Sequence, residues 1–223
     1  MEIMEAMKQR HSVRQYTDQR IEKEAAEKLQ REIDACNKES GLHIQLVTDE
    51  PKAFDGFMAH YGKFSGVKNY IALIGKKGPK LEETCGYYGE RLVLLAQRLG
   101  MNSCWAAMTY SKIKGAYEVK AGEKLCCVIS IGYGVNQGVS HKVKKVEELC
   151  QVNGQMPQWF RAGVEAAQLA PTAMNQQKFY FVLKEDQVAA KTKAGFYTKV
   201  DLGIAKYHFE IGAGVGNDWK WAQ

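Results

Sequence analysis

Apolar positions recur along this chain with two periods. Glu2 to Gln9 reads as a short helix. Glu24 to Val47 runs helix, breaker, strand: Ala25, Leu29 and Ile33 fall at helical spacing, Gly41 interrupts, and Ile44-Gln45-Leu46-Val47 is short and apolar. Asn69 to Gly75 and Leu125 to Gly132 read as buried strands. The strongest helix is Leu81 to Leu99, where Leu81, Cys85, Tyr88, Leu92, Leu95, Ala96 and Leu99 share one stripe and Gly100 supplies the C-terminal cap. Asp201 to Ile211 is a second amphipathic helix, and Asn217 to Trp221 is expected to add an edge strand. Gln158 to Leu183 repeats the helix-breaker-strand order: Phe160, Val164 and Ala167, then Pro171, then Phe179-Tyr180-Phe181-Val182-Leu183. The fold class expected is α+β, helices around a central, mainly antiparallel sheet, with a degenerate internal duplication. Val152 to Pro157 is the one obvious linker, giving halves 1–152 and 153–223 packed as one globular unit.

Composition narrows the class without naming a function. With 223 residues and 45% hydrophobic content, the chain can bury a substantial core. It has no apolar run of about 18 residues, and its start lacks the basic and apolar regions of a secretory signal, so no membrane partner and a cytoplasmic location are expected. Six cysteines, at 36, 85, 104, 126, 127 and 150, form no CxxC or Cys-His cluster, and reduced buried thiols are the plain reading. Net charge is +6, but most bases are interleaved with acids. The one dense cluster, His141-Lys142-Val143-Lys144-Lys145, has no aromatic stacking platform, so no nucleic-acid partner is expected. The histidines make no metal constellation, and His208, at helical spacing from Ile204 and Ile211, reads as a packed residue. Gly132 and Gly134 lack the third glycine and the strand-to-helix context of a dinucleotide fingerprint.

Two stretches carry chemistry. Arg10-His11-Ser12-Val13-Arg14 places two guanidiniums and a hydroxyl on one short segment, a good set for a phosphate and the polar edge of a heterocycle. Ala170-Pro171-Thr172-Ala173-Met174-Asn175-Gln176-Gln177 ends a helix and offers a hydroxyl and amides in a tight turn. Together they point to a flavin.

Arg10-His11-Ser12-x-Arg14 resembles the N-terminal signature of the FMN-dependent nitroreductase family. Ala170-Pro171-Thr172-x-x-Asn175-x-Gln177 resembles its second signature, with Thr172 in place of the usual serine and Lys178 in place of the final proline. In ordinary members the second follows the first by a few tens of residues; here roughly 155 intervene. Ordinary members are homodimers binding FMN with signatures from different subunits. The resemblance is therefore to a branch, with a thermophile representative, in which one chain mimics that dimer and holds one flavin between its halves. A monomer then suffices for one site, and a weak homodimer is compatible with it.

The resemblance implies further residues. Leu99-Gly100-Met101-Asn102-Ser103-Cys104-Trp105 matches the segment after the family's long helix, placing Ala106, Ala107 and Met108 beside the flavin's central ring; a small-residue core strand is the alternative. Lys142 and Lys144 match a downstream basic pair for the phosphate, or stand in a solvated loop. Arg14 is expected at the pyrimidine edge, with Lys63 also in reach. Asn175 and Gln177 serve the ring edge or stabilise the turn. Pro171, Thr172 and Ala173 complete the cofactor set, and no catalytic side chain is expected because the cofactor carries the chemistry. Tyr61, Phe64, Trp105 and Tyr110 are candidate pocket walls or core residues. The activity implied is ping-pong hydride transfer from NADH or NADPH to FMN and on to a small-molecule electron acceptor such as a nitroaromatic or quinone. The alternatives are an FMN-storage protein and another flavin reaction, such as reductive dehalogenation, azoline oxidation or flavin reduction itself.

Overall fold

In the computed structural model, which describes residues 1–214, 216 and 218–222, helices and strands follow one another as α1 (Ile3–Gln9), α2 (Lys23–Ser40), β1 (Gln45–Val47), α3 (Phe57–Tyr61), β2 (Asn69–Lys76), α4 (Leu81–Arg98), β3 (Asn102–Ala106), β4 (Glu123–Gly132), α5 (Val146–Leu149), β5 (Cys150–Val152), α6 (Gln158–Ala167), β6 (Phe179–Lys184), β7 (Gln187–Thr192), α7 (Thr198–Ala213) and β8 (Lys220–Trp221). The α+β class holds, as the alternation of elements suggested and the family resemblance implied. Its strands divide between two four-stranded sheets, ordered β1-β2-β4-β3 and β5-β6-β7-β8. Of the edge strand expected from Asn217, Lys220 and Trp221 pair with β7, while Asn217 itself lies outside the described residues.

The chain separates into two compact units. One, centred on β2, comprises Gln9–Leu81 and Arg91–Ser140; the other, centred on α7, comprises Met1–Lys8, Glu82–Glu90 and the chain from His141 onward. In the β2-centred unit the sheet is antiparallel throughout. Paired on both edges, β2 is buried from Asn69 to Gly75, which is why its sequence is continuously apolar where a half-exposed strand would alternate. One cluster of this core gathers Tyr16, Phe54, Phe64, Tyr70, Cys104 and Val128. Helix α2 buries Ala25, Leu29, Ile33 and Cys36, one stripe at helical spacing. The guanidinium of Arg91 meets Glu32 and, at 2.7 Å, Glu39 of α2. Helix α4 stops where Gly100 turns left-handed (φ 81°). Gly100 N–H donates to Gln97 O at 3.0 Å and Met101 N–H to Ala96 O at 2.9 Å, the paired bonds of a glycine-terminated helix.

In the α7-centred unit the sheet is mixed, with β6 and β7 antiparallel and β5 and β8 added parallel. Residues Glu82–Glu90 of α4 lie close against α7 at Gly86 and Gly203. A methyl group on Gly203 would sit 1.9 Å from Glu83 O, and one on Gly86 would sit 2.0 Å from Val200 O, so only glycine allows this approach. His208 is buried as expected of a packed residue; its Nε2 is 2.9 Å from Glu90 Oε1 and its Nδ1 3.2 Å from Ala166 O.

Candidate functional site

Backbone bonds hold the Arg10–Thr17 segment extended in the β2-centred unit. Ser12 pairs parallel with Ser103 of β3, and Val13 N–H donates to Ser103 O at 3.0 Å. Ser65 N–H then donates to Arg14 O and Tyr16 N–H to Ser65 O, both at 3.0 Å, while Val135 N–H reaches Gln15 O at 2.9 Å. Tyr16 roots the segment in the core: its phenol donates to Val13 O at 2.7 Å and lies 2.9 Å from Ser130 Oγ. A hydroxyl so deeply buried resists ionisation, and its pKa is displaced well upward, burial being the main cause. The tyrosine is thus a fixed peg.

The anchored segment distributes its polar groups unevenly. Arg10 is 3% exposed, His11 and Ser12 are half-buried, and Arg14 is exposed with its guanidinium carbon 6.0 Å from the centre of the Phe64 ring. Lys63 precedes that ring in the same loop, with an exposed side chain and a left-handed backbone (φ 63°). Ala107 and Met108 follow β3 in a bend, Ala107 half-buried and Met108 exposed. Cys104, next to Ser103, senses the segment directly. Burial pushes its thiol up, while Arg14, a hydrogen bond with Ser12, and Arg10 pull it down. Arg10, Ser12 and Arg14 thus all lie near enough to Cys104 of β3 to act on its thiol.

The α7-centred unit gathers the second signature with the lysine pair. Met174 (φ 52°), Asn175 (φ 53°) and Gln177 (φ 43°) all take the left-handed conformation, unusual for three non-glycine residues in one turn. The strain is held by side chains. Gln177, 4% exposed, accepts Lys144 N–H at 2.9 Å and donates to Lys142 O at 2.8 Å and Asn175 Oδ1 at 2.9 Å. Asn175 donates to Lys142 O at 2.9 Å, and the Lys144 ammonium donates to Gln177 O at 2.8 Å and Gln176 O at 3.2 Å. Thr172 Oγ1 accepts Gln177 N–H at 3.1 Å. The Gln177 side chain is thus engaged within the turn, and Lys144 is tied to it. Lys142 keeps an exposed side chain, and Pro171, Thr172 and Ala173 are half-buried at the turn's entry.

Sequence reasoning missed Asp201. In the first turn of α7 and buried, it accepts Ala173 N–H at 2.9 Å on Oδ1 and the Gln176 side-chain amide at 2.8 Å on Oδ2. Burial pushes its carboxyl up to about 6, against the downward pull of those two donors. In sequence, an acid near a helix start reads as dipole complementation alone, which hides the role. Among the candidate aromatics, Phe64 packs in the core 4.9 Å from Phe54, and Tyr110 lies 6.1 Å from Phe54. Tyr61 is exposed and Trp105 half-buried. All six cysteines are buried. Among the described residues no group of three or more His, Cys, Asp or Glu could hold a metal ion, and no helix is long and apolar enough to cross a membrane.

Comparison with known proteins places this architecture. A family model described as "Putative TM nitroreductase" matches residues 2–213, nearly the whole chain. The chain belongs to this nitroreductase family. A nitroreductase-family fold also appears among solved structures. A "putative nitroreductase" from Thermotoga maritima is 22% identical with a TM-score of 0.65, the match covering 94% of this chain and 82% of that one. A "Putative NADH dehydrogenase/NAD(P)H nitroreductase" from Parabacteroides distasonis is 23% identical with a TM-score of 0.53, covering 66% of this chain and 95% of the other. A "putative nitroreductase in complex with fmn" from Desulfovibrio desulfuricans is 16% identical with a TM-score of 0.51, covering 70% and 98%. No curated protein matches the chain. These nitroreductase structures establish the fold.

Proposed function

We propose that the chain is an FMN-dependent oxidoreductase. The observation that carries this reading is the segment bearing Arg10, Ser12 and Arg14, anchored along β3 at Ser103, in a chain matched by a nitroreductase family model over residues 2–213. The donor chemistry fits the cofactor. Guanidinium forks and a hydroxyl suit a phosphate dianion and ring carbonyls, and an exposed cation over an aromatic face suits a polar heterocycle edge. The Desulfovibrio structure with FMN is consistent with this choice of cofactor.

The cofactor-binding set is Arg10, His11, Ser12, Arg14, Lys63, Ala107, Met108, Lys142, Lys144, Pro171, Thr172, Ala173, Asn175 and Gln177. Within it the roles differ. In the β2-centred unit Arg10 and Ser12 would grip the phosphate; in the α7-centred unit Lys142 offers an exposed cation of the same kind. Arg14, with Lys63, holds the pyrimidine edge, where a fixed cation stabilises the negative charge gained on reduction. Asn175, Gln177 and Lys144 act by shaping the turn, because their polar groups are engaged within it. FMN, when bound, supplies the redox chemistry: acceptance of hydride from NADH or NADPH at N5 and its transfer to a nitroaromatic, quinone or similar small acceptor. The two signatures belong to a degenerate internal duplication, halves 1–152 and 153–223, so that a monomer suffices; the protein acts in the cytoplasm.

An anaerobic absorption spectrum of the FMN-reconstituted protein tests this. Bleaching of the flavin bands near roughly 450 nm by NADH or NADPH, reversed by a quinone or nitroaromatic, is expected of a cofactor-driven oxidoreductase. Stable binding with no bleaching by either nucleotide would make the protein a flavin carrier, and absence of binding would remove the proposal.

A further inference from the structure

We infer that Asp201 is the positioning residue of the second signature: its carboxylate holds the strained Ala173–Gln177 turn in the shape that receives FMN. The inference rests on the flavin reading above. Its geometry is independent of that reading.

Asp201 is 3% exposed and spends one oxygen on each end of the turn: Oδ1 accepts Ala173 N–H at 2.9 Å, and Oδ2 accepts Gln176 Nε2 at 2.8 Å. Gln176 also donates to Phe196 O at 2.7 Å, so its amide is oriented with nitrogen toward the acid. Three of the four residues from Met174 to Gln177 are left-handed, a conformation that relaxes when nothing holds it. A carboxylate suits this place because it accepts on both oxygens. A protonated acid or an amide accepts on one and points a donor at the Gln176 nitrogen with the other.

A pH response follows, in which loss of the charge loosens the turn. Charged side chains around this region are otherwise engaged or on the same helix. Lys178 donates to Ala194 O at 2.9 Å, Glu83 of α4 pairs with Lys206 at 2.8 Å, and Lys199 lies two residues before Asp201. Among the described residues, the influences on this carboxyl are burial, Ala173 and Gln176. Burial lifts its titration to about 6, so the proton is taken up at mildly acidic pH.

The test compares the full-length parent with Asp201→Asn. FMN dissociation constants come from flavin fluorescence between pH 5 and 8, and amide exchange at Ala173 is followed in the flavin-free proteins. In the parent, affinity should fall about tenfold from pH 7.5 to 5. In Asp201→Asn it should be about tenfold weaker at pH 7.5 and lose that part of the pH dependence. The FMN phosphate titrates in the same range, but it does so equally for both proteins, so the difference between them is the readout. Faster exchange at Ala173 in the variant, confined to the turn, is expected with or without flavin. Equal affinities and parallel pH profiles would overturn the inference. If the parent binds no FMN at any pH, the flavin reading fails, and exchange at Ala173 decides the turn-holding role alone: unchanged protection overturns it. Should Asp201→Asn not fold, Gln176→Ala removes one of the two contacts and should shift affinity and exchange in the same direction by a smaller factor; no shift would overturn the inference.

Discussion

Backbone hydrogen bonds with Ser103, Ser65 and Val135 hold the Arg10–Thr17 segment, whereas side chains build the Thr172–Gln177 turn. The difference decides what each signature can lose. In the first, the main chain does the anchoring with Tyr16 as peg, and Arg14 stands outside the scaffold it decorates. In the second, Asn175, Gln177, Lys144 and Asp201 are the scaffold, and the backbone they bend is what remains to present. A motif of polar residues thus has two physical uses: direct ligation, or imposing a backbone shape that the chain would not otherwise hold.

The largest effect should come from Gln177→Ala. It strands Lys144 N–H, leaves Lys142 O to Asn175 alone and frees Asn175 Oδ1, which costs about 2–4 kcal/mol of stability by denaturant unfolding, together with FMN affinity. A change below about 0.5 kcal/mol would mean that the turn holds without its side chains, and the contrast would collapse.

Asp201 sharpens the same contrast through pH. Its carboxyl titrates at about 6 in the fold against an ordinary 3.8, so the folded state binds an extra proton between those values. Its contribution to stability is present below 3.8 and lost as pH rises through about 6. At 1.36 kcal/mol per pH unit, the unfolding free energy of Asp201→Asn relative to the parent should move in the variant's favour by about 2–3 kcal/mol between pH 4 and 7.5. A flat difference would place the carboxyl in ordinary solvent. The buried charge therefore costs stability where it serves the turn.

Arg14→Ala should separate binding from folding. FMN affinity is expected to fall about 10–100-fold and the flavin potential to drop, while stability changes by less than about 0.5 kcal/mol. Parallel losses of stability and affinity would make Arg14 part of the scaffold. The smallest effect is expected at Met174, 81% exposed and left-handed. Met174→Gly should raise stability by about 0.5 kcal/mol, since the left-handed state costs a side-chain-bearing residue about 1–2 kcal/mol and glycine's freedom in the unfolded chain returns part of it. A loss would show that the methionine side chain contributes to the turn.

Hydrophobic periodicity alone located the long helices and the two buried strands to within a few residues: Leu81 to Leu99 became α4, and Leu125 to Gly132 became most of β4. Both signatures were legible by other means, from the polar groups that each gathers and from their resemblance to the family's motifs. Some short elements escaped. Helix α3 has five residues and β5 three, too few for a period to declare itself. Division of the strands between two sheets, and of α4 between two units, also needed the tertiary structure, since strand partners are chosen by long-range pairing that no local pattern encodes. So did the roles inside the second signature. That Gln177 bends the chain, that Lys144 ties it, and that Asp201, more than twenty residues downstream, closes it are facts of hydrogen-bond satisfaction. A donor or acceptor buried on folding must find its partner in space, and the chain carries only the side chain, not the place where it is spent.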